Sequence, residues 1–411
     1  MTASIGEEMA PGSDKAKRIL IIVENLPVPF DRRVWSEATT LSTAGYEVSV
    51  ICPKGKGHQE SFEKIEGVRV YRHDLPLEAR GRLAYIAEYG IALYHQFRLA
   101  WRIHRTHGFD VLQGCNPPDT IFLIGGFYKL FFGKKYVFDH HDICPELFEA
   151  KFGRRGGVLY LLMCALERLT FSTADISIST NNSYRRIAIN RGCMAPDRVF
   201  VVRSGPNLSR LKIQPPIEKI KKGARYLIGY VGVIGQQEGL DLLVDAAEYL
   251  TRTIGRNDVH FAVVGSGPEQ PLIQQEVMAR GLGDLFTFSG RVPDAELLDI
   301  LNTADICVNP DRVNDMNDKS TMNKILEYMA LGKPIVQFEM TEGRESAGDS
   351  SLYARPNDPA DFAAKINALL DDPELRAKMG EIGRQRIIEK FSWGHSITPL
   401  LAAYEKVFEG S

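Results

Sequence analysis

Short apolar runs alternate along this chain with segments of helical periodicity. Arg18 to Glu24 and Val48 to Cys52 each have the length of a strand, and the segment from Val34 to Ala44 between them has a helical period that Gly45 ends. A continuous apolar strand is buried on both faces, and a strand–helix–strand unit joins parallel strands. Because the pattern recurs, we expect an α/β fold built on parallel sheets.

Length and composition indicate a soluble globular protein. The 411 residues are 44% hydrophobic and carry a net charge of -2, which suggests two or three domains and argues against a nucleic-acid partner. The first half is mildly basic, which is compatible with an anionic membrane surface. The six cysteines lack paired spacing, so we expect reduced thiols in a cytoplasmic protein without a signal peptide.

Composition shifts predict the domain boundaries. The polar, proline-containing stretch 211–222 has the character of a linker between two Rossmann-like domains. We expect a flexible N-terminal extension at 1–17, the first domain at 18–210, the second at 223–390, and a C-terminal helix at 391–411 that crosses back to the first domain.

The segment 309–338 is predicted to form a polar loop, a capped helix and a buried strand. If Ser320 is the N-cap, the backbone N–H groups of Thr321, Met322 and Asn323 have no intrahelical partner. They lie at the positive end of the helix dipole, which is a suitable seat for a phosphate group.

Two charged residues follow on this helix. Lys324 lies one turn in, and Glu327 follows it at i+3 on the same side. A cation beside the phosphate-binding position would suit a diphosphate, and a carboxylate one turn beyond it would suit a ribose. An ordinary surface helix with a Lys/Glu pair remains the alternative.

Glycine turns follow two predicted strands of the second domain. Gly232 and Gly235 come after the strand Tyr226 to Val231, and Gly265 comes after His260 to Val264. Glycines between a strand and a helix let the backbone approach a phosphate closely, so we place Gly232, Gly235 and Gly265 among the candidate donor-binding residues.

Charged residues also follow two predicted strands of the first domain. Arg32 and Arg33 could meet a phosphate, unless Asp31 simply caps a helix and both arginines are solvated. The sequence Asp139-His140-His141-Asp142 ends another strand, where alternation places Asp139 with His141 and His140 with Asp142. One imidazole with one carboxylate is the predicted functional unit, and a structural histidine is the alternative.

Two apolar helical segments lie between these strands. The segment 85–104 carries an aromatic stripe, which we interpret as core. The segment 120–132 is too short to cross a bilayer, and it can either pack on the sheet or lie on a membrane beside its lysines.

With these residues in view, the chain resembles the family 4 retaining glycosyltransferases of the GT-B fold, of the bacterial envelope polysaccharide type. The resemblance rests on five motifs in the second half of the chain. They are Gly265-Ser266-Gly267, Phe288-Ser289-Gly290-Arg291-Val292, Ala304-Asp305-Ile306, the block 327–334 and Phe391-Ser392-Trp393.

The resemblance implies roles for particular residues. It implies that Glu327 holds the donor ribose, that the backbone near Arg291 and Val292 meets the base, and that His141 faces the transferred sugar. We therefore name His141, Asp142 and Lys324 as catalytic candidates. Lys319, Ser320, Thr321 and Met322 join the donor-binding candidates.

The chain departs from the family pattern at three positions. The family's first glutamate falls at Lys319, and its usual Arg and Lys fall at Val233 and Glu238. A diphosphate leaving group needs compensating positive charge. Our hypothesis is that Lys324, Lys319 and one of the two N-terminal arginines (32 and 33) supply it without a metal ion or other cofactor.

The resemblance implies transfer of a sugar, with retention, from a nucleotide diphosphate sugar to a hydroxyl of a saccharide or polyprenyl-linked saccharide in envelope or exopolysaccharide synthesis. The second domain would bind the donor and the first the acceptor. A nucleotide-sugar 2-epimerase and a non-catalytic sugar-nucleotide-binding protein remain alternatives. The expected location is the cytoplasm, with a peripheral position on the inner face of the cell membrane as a further expectation.

Overall fold

The computed structural model describes residues 16–55, 57–74, 82–152 and 157–409. The chain divides into two compact units, 1–137 and 138–411, and the division falls inside a strand. Arg154 and Arg155 lie outside the described residues, as does most of the predicted N-terminal extension. The predicted domain boundaries stay a prediction.

The first unit is a sheet with helices in the connections. Its strands are β1 (Arg18–Ile22), β2 (Glu47–Pro53), β3 (Phe62–Ile65), β4 (Val68–His73), β5 (Val111–Cys115) and the start of β6 (Lys135–His140), and its helices are α1 (Arg32–Thr43), α2 (Arg82–Thr106) and α3 (Phe122–Phe132). The strand order is β3-β4-β2-β1-β5-β6. Parallel pairing of β1 with β2 and β5, and of β2 with β4, confirms the predicted parallel sheet.

Strand β3 was not predicted, and it pairs antiparallel with β4. Glu66 and Gly67 connect the two strands and both have positive φ, of 48° and 87°. Two consecutive residues with positive φ form the tight turn that suits a hairpin.

The second unit begins within β6 and continues the row β6-β7-β8. Its first part contains α4 (Cys144–Phe152), α5 (Val158–Thr173), β7 (Ile176–Ser179), α6 (Asn182–Asn190) and β8 (Val199–Val201). Residues of the predicted linker then hydrogen-bond to a later helix: the Gln214 N–H donates to Asn302 Oδ1 at 3.0 Å, and the Ile217 N–H donates to Thr303 Oγ1 at 2.9 Å.

A second parallel sheet follows, with strand order β11-β10-β9-β12-β13-β14. Its elements are β9 (Tyr226–Val231), α7 (Leu240–Arg252), β10 (Val259–Val264), α8 (Gln270–Ala279), β11 (Phe286–Gly290), α9 (Asp294–Thr303), β12 (Ile306–Asn309), α10 (Asp315–Lys319), α11 (Asn323–Ala330), β13 (Ile335–Phe338), α12 (Thr341–Ala347), β14 (Ser351–Ala354), α13 (Pro359–Asp371) and α14 (Pro373–Arg386). Apolar side chains on both faces form two core clusters.

The last helix, α15 (Trp393–Glu409), packs on β7 and β8. Ser396 Oγ donates to the carbonyl of Arg203 at 2.8 Å, and the Trp393 N–H donates to the carbonyl of Pro206 at 3.3 Å. This confirms that the C-terminal helix returns to the first sheet. Among the described residues, no helix combines the length and the apolar character needed to cross a bilayer.

Candidate active site

The N-terminus of α11 lies at the carboxyl end of β12 and β13, where parallel sheets bind their ligands. The helix begins at Asn323 with Met322 in the N-cap position, and no side chain of the described residues caps it. Ser320, which we considered as the N-cap, does not occupy that position. Ser320 instead ends α10, because its N–H donates to Asn317 O and its Oγ donates to Met316 O at 2.7 Å. The uncapped N–H groups therefore begin at Asn323.

Lys324 is held beside this helix end by a buried carboxylate. Its Nζ lies 2.5 Å from Asp311 Oδ1, and both side chains are almost fully buried. The ammonium also lies 5.1 Å from the centroid of the Tyr230 ring, and its Cε is 3.3 Å from the place where a Cβ on Gly232 would stand. The structure thus brings Lys324 and the first glycine turn together.

The glycine turns after β9, β10 and β11 contact one another through backbone atoms. The Gly232 N–H donates to Val264 O at 3.0 Å, and the Gly265 N–H donates to Gly290 O at 2.8 Å. Gly265 has φ +133°, and a Cβ there would overlap the carbonyl oxygen of Gly232. Only glycine fits at position 265, because the backbone of Gly232 occupies the place where a side chain would begin.

Glu238 stands where the resemblance implies a lysine, and it lies near Lys324. Its Oε2 is 2.8 Å from the place of a Cβ on Gly235. Burial raises the pKa of the Glu238 carboxyl above its ordinary value; the charge of Lys324 lowers that pKa and the charge of Asp311 raises it further. The region beside α11 therefore contains two acidic side chains around one lysine.

Glu327, one turn further along α11, forms an ion pair with Arg210. The same guanidinium reaches Asp294, with 3.3 Å between Arg210 Nη1 and Asp294 Oδ2. The Glu327 side chain is half-buried, so its carboxylate is fixed in direction but still accessible.

Arg291 and Val292 follow directly on β11. Val292 packs on the core cluster under α11, as does Met322, whereas Arg291 is exposed at the surface. The Val292 side chain therefore faces the core, and the Arg291 side chain faces solvent.

The other candidates before α11 contact residues from α4 and α6. Lys319 Nζ lies 3.6 Å from Glu146 Oε1. The Ser320 hydroxyl is 2.9 Å from the Tyr184 hydroxyl, and Thr321 Oγ1 accepts from Asn181 Nδ2 at 3.0 Å.

At the end of β6, His141 and Asp139 form a hydrogen-bonded pair with 2.5 Å between His141 Nε2 and Asp139 Oδ2. Asp139 is fully buried and His141 is partly exposed. His140 points into the core between Phe171 and Tyr184, and burial lowers its pKa to about 3, so it remains neutral. Alternation along the strand thus separates a polar pair from a structural histidine, as predicted.

Asp142 lies on the other side of this strand end. Its charge adds to the effect of burial in raising the pKa of the Tyr184 hydroxyl. Asp142 is therefore placed near Tyr184, and the carboxylate that holds the His141 imidazole is that of Asp139.

Arg32 and Arg33 begin α1 in the first unit. Asp31 caps that helix, because its Oδ1 accepts from the Val34 N–H at 3.1 Å. Arg32 is exposed, whereas the Arg33 guanidinium is nearly buried and lies 3.1 Å from Glu37 Oε1. The alternative in which Asp31 caps the helix is confirmed, but Arg33 is not a solvated residue.

Three of these acidic or basic partners were not identified from the sequence: Asp311, Arg210 and Glu146. Asp139 was placed beside His141 by alternation but was not named as a catalytic candidate. Asp311 comes two residues after β12, a position that marks ligand regions in parallel sheets and could have identified it. Nothing local marks Arg210 or Glu146, because their partners are far away in the sequence.

Comparison with protein families covers most of the chain. Residues 31–205 match the family described as "Glycosyl transferase 4-like domain" and residues 225–372 match "Glycosyl transferases group 1". Alpha-D-kanosaminyltransferase of Streptomyces kanamyceticus is 28% identical over 44% of this chain, but the match spans only 46% of that protein. Alpha-maltose-1-phosphate synthase of Mycolicibacterium smegmatis is 27% identical over 69% of this chain and 76% of its own length.

Solved structures share the fold over nearly the whole chain. Sucrose-phosphate synthase of Thermosynechococcus elongatus has a TM-score of 0.78 with 18% identity, covering 96% of this chain and all of its own. Anabaena HepE, solved with UDP and glucose, has a TM-score of 0.70 with 16% identity and covers 96% of this chain and all of its own. WaaG, a glycosyltransferase involved in lipopolysaccharide biosynthesis, has a TM-score of 0.69 with 16% identity and covers 93% of this chain and 98% of its own.

Proposed function

We propose that this chain, which belongs to the GT-B glycosyltransferases described by the group 1 and 4-like families, transfers a sugar with retention from a nucleotide diphosphate sugar to a saccharide hydroxyl. The observation that supports this proposal best is the uncapped N-terminus of α11 beside Lys324 and the glycine turns. The epimerase and the non-catalytic protein that we kept as alternatives are not favoured, because the relatives named above are transferases and synthases.

The diphosphate of the donor would bind at the start of α11. The first N–H groups of the helix, from Asn323 onward, provide donors at the positive end of the helix dipole. The ammonium of Lys324 lies at the same end, and the absence of a side chain at Gly232 lets the Lys324 side chain pass close to this glycine turn. Together these groups would stabilise the charge that develops on the leaving diphosphate.

The ribose would lie one turn further along the helix, against Glu327. A carboxylate can accept hydrogen bonds from both hydroxyls of a diol. Arg210 already fixes one oxygen of that carboxylate, so the carboxylate is pre-oriented before the nucleotide arrives. The base would then contact the loop of Arg291 and Val292, as the resemblance to the family 4 glycosyltransferases implies.

The pair His141–Asp139 would face the transferred sugar. Asp139 fixes the orientation of the His141 ring through a 2.5 Å hydrogen bond, so the imidazole would be held in place for contact with a sugar hydroxyl. We propose that the reaction needs no resident metal ion. Activity that survives dialysis against EDTA would support this, and activity restored only by a divalent cation would refute it.

We further propose that the acceptor is a saccharide or lipid-linked saccharide of the envelope, reached from the cytoplasmic face of a membrane. Two exposed helix faces of the first unit support a membrane position. On α3, Leu130 is 77% and Phe131 65% exposed, although Phe122, Ile124 and Tyr128 of the same helix are buried. The segment 120–132 thus both packs into the core and presents apolar side chains to solvent.

Helix α2 adds amphipathic side chains with cationic neighbours. Its exposed residues Ile91, Tyr94, Arg98, Trp101 and Arg105 recur every three or four positions and share one face. The Trp101 ring lies 5.9 Å from the Phe132 ring, which joins the two helices in one surface. Exposed apolar and aromatic side chains beside arginines suit the interface of an anionic bilayer.

The test of the activity uses the whole chain with candidate donors. UDP, GDP and ADP are first screened for the rise in melting temperature that ligand binding to the folded state produces. The sugar nucleotides of the selected base are then incubated with and without lipid-linked saccharide extracts. Formation of a glycosylated acceptor with the donor's anomeric configuration supports the proposal. Conversion of donor alone into a new sugar nucleotide, or binding without turnover, refutes it.

A further inference from the structure

Lys319 ends α10, and Ser320 and Thr321 lead from it toward the start of α11; we name these three residues the 319–321 loop. Each of the three is held by a side chain from α4 or from the N-terminal turn of α6. The loop ends two residues before Asn323, the first residue of α11.

Asn181 links α6 to the loop. Its Oδ1 accepts from the Tyr184 N–H at 2.8 Å and so caps α6. Its Nδ2 donates to the carbonyl of Lys319 at 2.9 Å and to Thr321 Oγ1 at 3.0 Å. The side chain is fully buried, so these hydrogen bonds do not compete with bulk water.

Tyr184 holds the middle of the loop. The Ser320 hydroxyl donates to Met316 O, so the Tyr184 hydroxyl is the donor in its 2.9 Å contact with Ser320 Oγ. Burial raises the pKa of the Tyr184 hydroxyl, and the hydroxyl therefore remains protonated and able to donate.

Glu146 holds the side chain of Lys319. Arg191 fixes the Glu146 carboxylate with two hydrogen bonds, of 2.7 Å from Nη1 and 3.0 Å from Nη2, and it also pairs with Glu167. Lys319 completes the cluster at 3.6 Å from Glu146. Two carboxylates and two cations then balance, whereas loss of the Lys319 charge would leave buried Glu146 and Glu167 with one cation.

A fourth contact joins the N-terminal turn of α6 to α12. The Ser183 hydroxyl donates to Glu342 Oε1 at 2.6 Å, and the Ser183 N–H donates to the same oxygen at 3.2 Å. Both residues are buried. The N-terminal turn of α6 therefore contacts the segments on both sides of α11 and β13.

We propose that Asn181, Tyr184 and Glu146 are positioning residues for the donor site, which hold the 319–321 loop so that the α11 N-terminus can receive the diphosphate. Lys319 serves this arrangement by pairing with Glu146 and does not contact the diphosphate. This replaces our hypothesis that Lys319 is one of the cations for the leaving group. The inference rests on the proposed function, because it assumes a nucleotide diphosphate at α11.

The test compares variants that keep the fold of α6 but release the loop. Asn181→Asp keeps the oxygen that caps α6 and removes the donor to Lys319 and Thr321. Tyr184→Phe removes the hydroxyl and keeps the ring. Tyr249→Phe, at a half-exposed tyrosine on α7, is the matched control.

The probe is whichever of UDP, GDP and ADP stabilises the wild-type chain, together with its nucleoside. Each lost hydrogen bond should weaken nucleoside diphosphate binding about fivefold, since the net free energy of one hydrogen bond corresponds to about that factor in a dissociation constant. The melting temperature without ligand should fall slightly, because the side chains of Asn181 and Tyr184 are both buried, whereas nucleoside binding should hardly change. Lys319→Arg should bind the diphosphate as the wild type does, and Lys319→Gln should bind it more weakly.

The outcomes separate this inference from the proposed function. If the wild type binds none of the three diphosphates, both are overturned. If it binds one of them and Asn181→Asp and Tyr184→Phe bind it equally well, the positioning role is overturned while the proposed function stands. A lower melting temperature without ligand at unchanged affinity would show a structural role alone, which also overturns the inference.

Discussion

Lys324 and Asp311 form an ion pair of 2.5 Å at the start of α11, and both side chains are almost fully buried. An ammonium that is already paired can still bind a phosphate, because the carboxylate fixes its position and a phosphate adds a second anionic partner. The pair therefore links the stability of this region to its proposed chemistry, and the two effects can be separated by mutation.

We expect Lys324→Gln to lower the sugar-transfer rate by about 10²-fold, the usual effect of losing one group that stabilises a developing anion. The same variant should lose about 3–5 kcal/mol of unfolding free energy, because buried Asp311 loses its partner. Adding Asp311→Asn should restore much of that stability without restoring turnover. Urea unfolding and initial rates measure the two quantities. Full turnover in the double variant would exclude Lys324 from the chemistry.

Glu238 provides a second prediction, at the position where the resemblance implies lysine. We expect Glu238→Lys to bind the nucleoside diphosphate about tenfold more tightly, since it removes an anion from the site and adds a charged donor. Isothermal titration measures the affinity. Glu296→Lys, at an exposed position on α9, makes the same change of charge elsewhere and should have no such effect. Equal responses of both variants would indicate a general effect of net charge.

Glu238 should also make stability depend on pH. Burial raises its pKa in the folded state, so the folded chain binds this proton more tightly than the unfolded chain does. The stability that Glu238 contributes is therefore present below the unfolded pKa and is lost as the pH rises through the folded pKa. Glu238→Gln should flatten this part of the profile, so that its stability relative to the wild type increases with pH. Urea midpoints across that pH range test it, and parallel profiles would contradict the shift.

We expect His141→Ala to lower the transfer rate by about 10²-fold, the typical effect of losing a catalytic side chain of this type. Asp139→Asn should have a smaller effect in the same direction, because it keeps a hydrogen-bond partner and removes the charge behind the imidazole. Diphosphate affinity, measured separately, should stay at the wild-type value in both. A loss of affinity equal to the loss of rate would place the pair in donor binding instead.

The membrane surface of α2 and α3 can be tested with vesicles. Phe131→Glu should weaken sedimentation with anionic phospholipid vesicles by about tenfold or more, because it removes one large apolar contact and adds a repelled charge. Leu272→Glu, at a leucine on α8 that is 58% exposed, is the control. Transfer to a water-soluble acceptor should be unchanged in both variants. Equal vesicle binding by the wild type and Phe131→Glu would remove this surface from the proposal.

Periodicity was sufficient to predict many of the helices and strands that position the site. The helical period between the first two apolar runs predicted α1, and the apolar run before Asn25 predicted β1. It failed near α11, where the polar segment 315–319 forms the separate helix α10. A five-residue helix is shorter than the window in which a period can be recognised.

The partners of the charged site residues could not be predicted in the same way. Glu146 lies far from Lys319 in the sequence, and Arg210 lies far from Glu327. Their pairing depends on how the sheets place helices in space, and a single sequence contains no record of that. Asp139 with His141 is different, because residues two apart on a strand share a face, and the shared face of these two residues was predicted correctly although Asp142 was named as the candidate.

The close backbone contact between the glycine turns after β9 and β10 restricts which substitutions the protein can accept. Any side chain at position 265 would collide with the main chain at position 232, so a saturation library at that codon should return active clones with glycine alone. Because we propose that the loop of Arg291 meets the base, variants with altered nucleotide preference should be sought at this exposed residue.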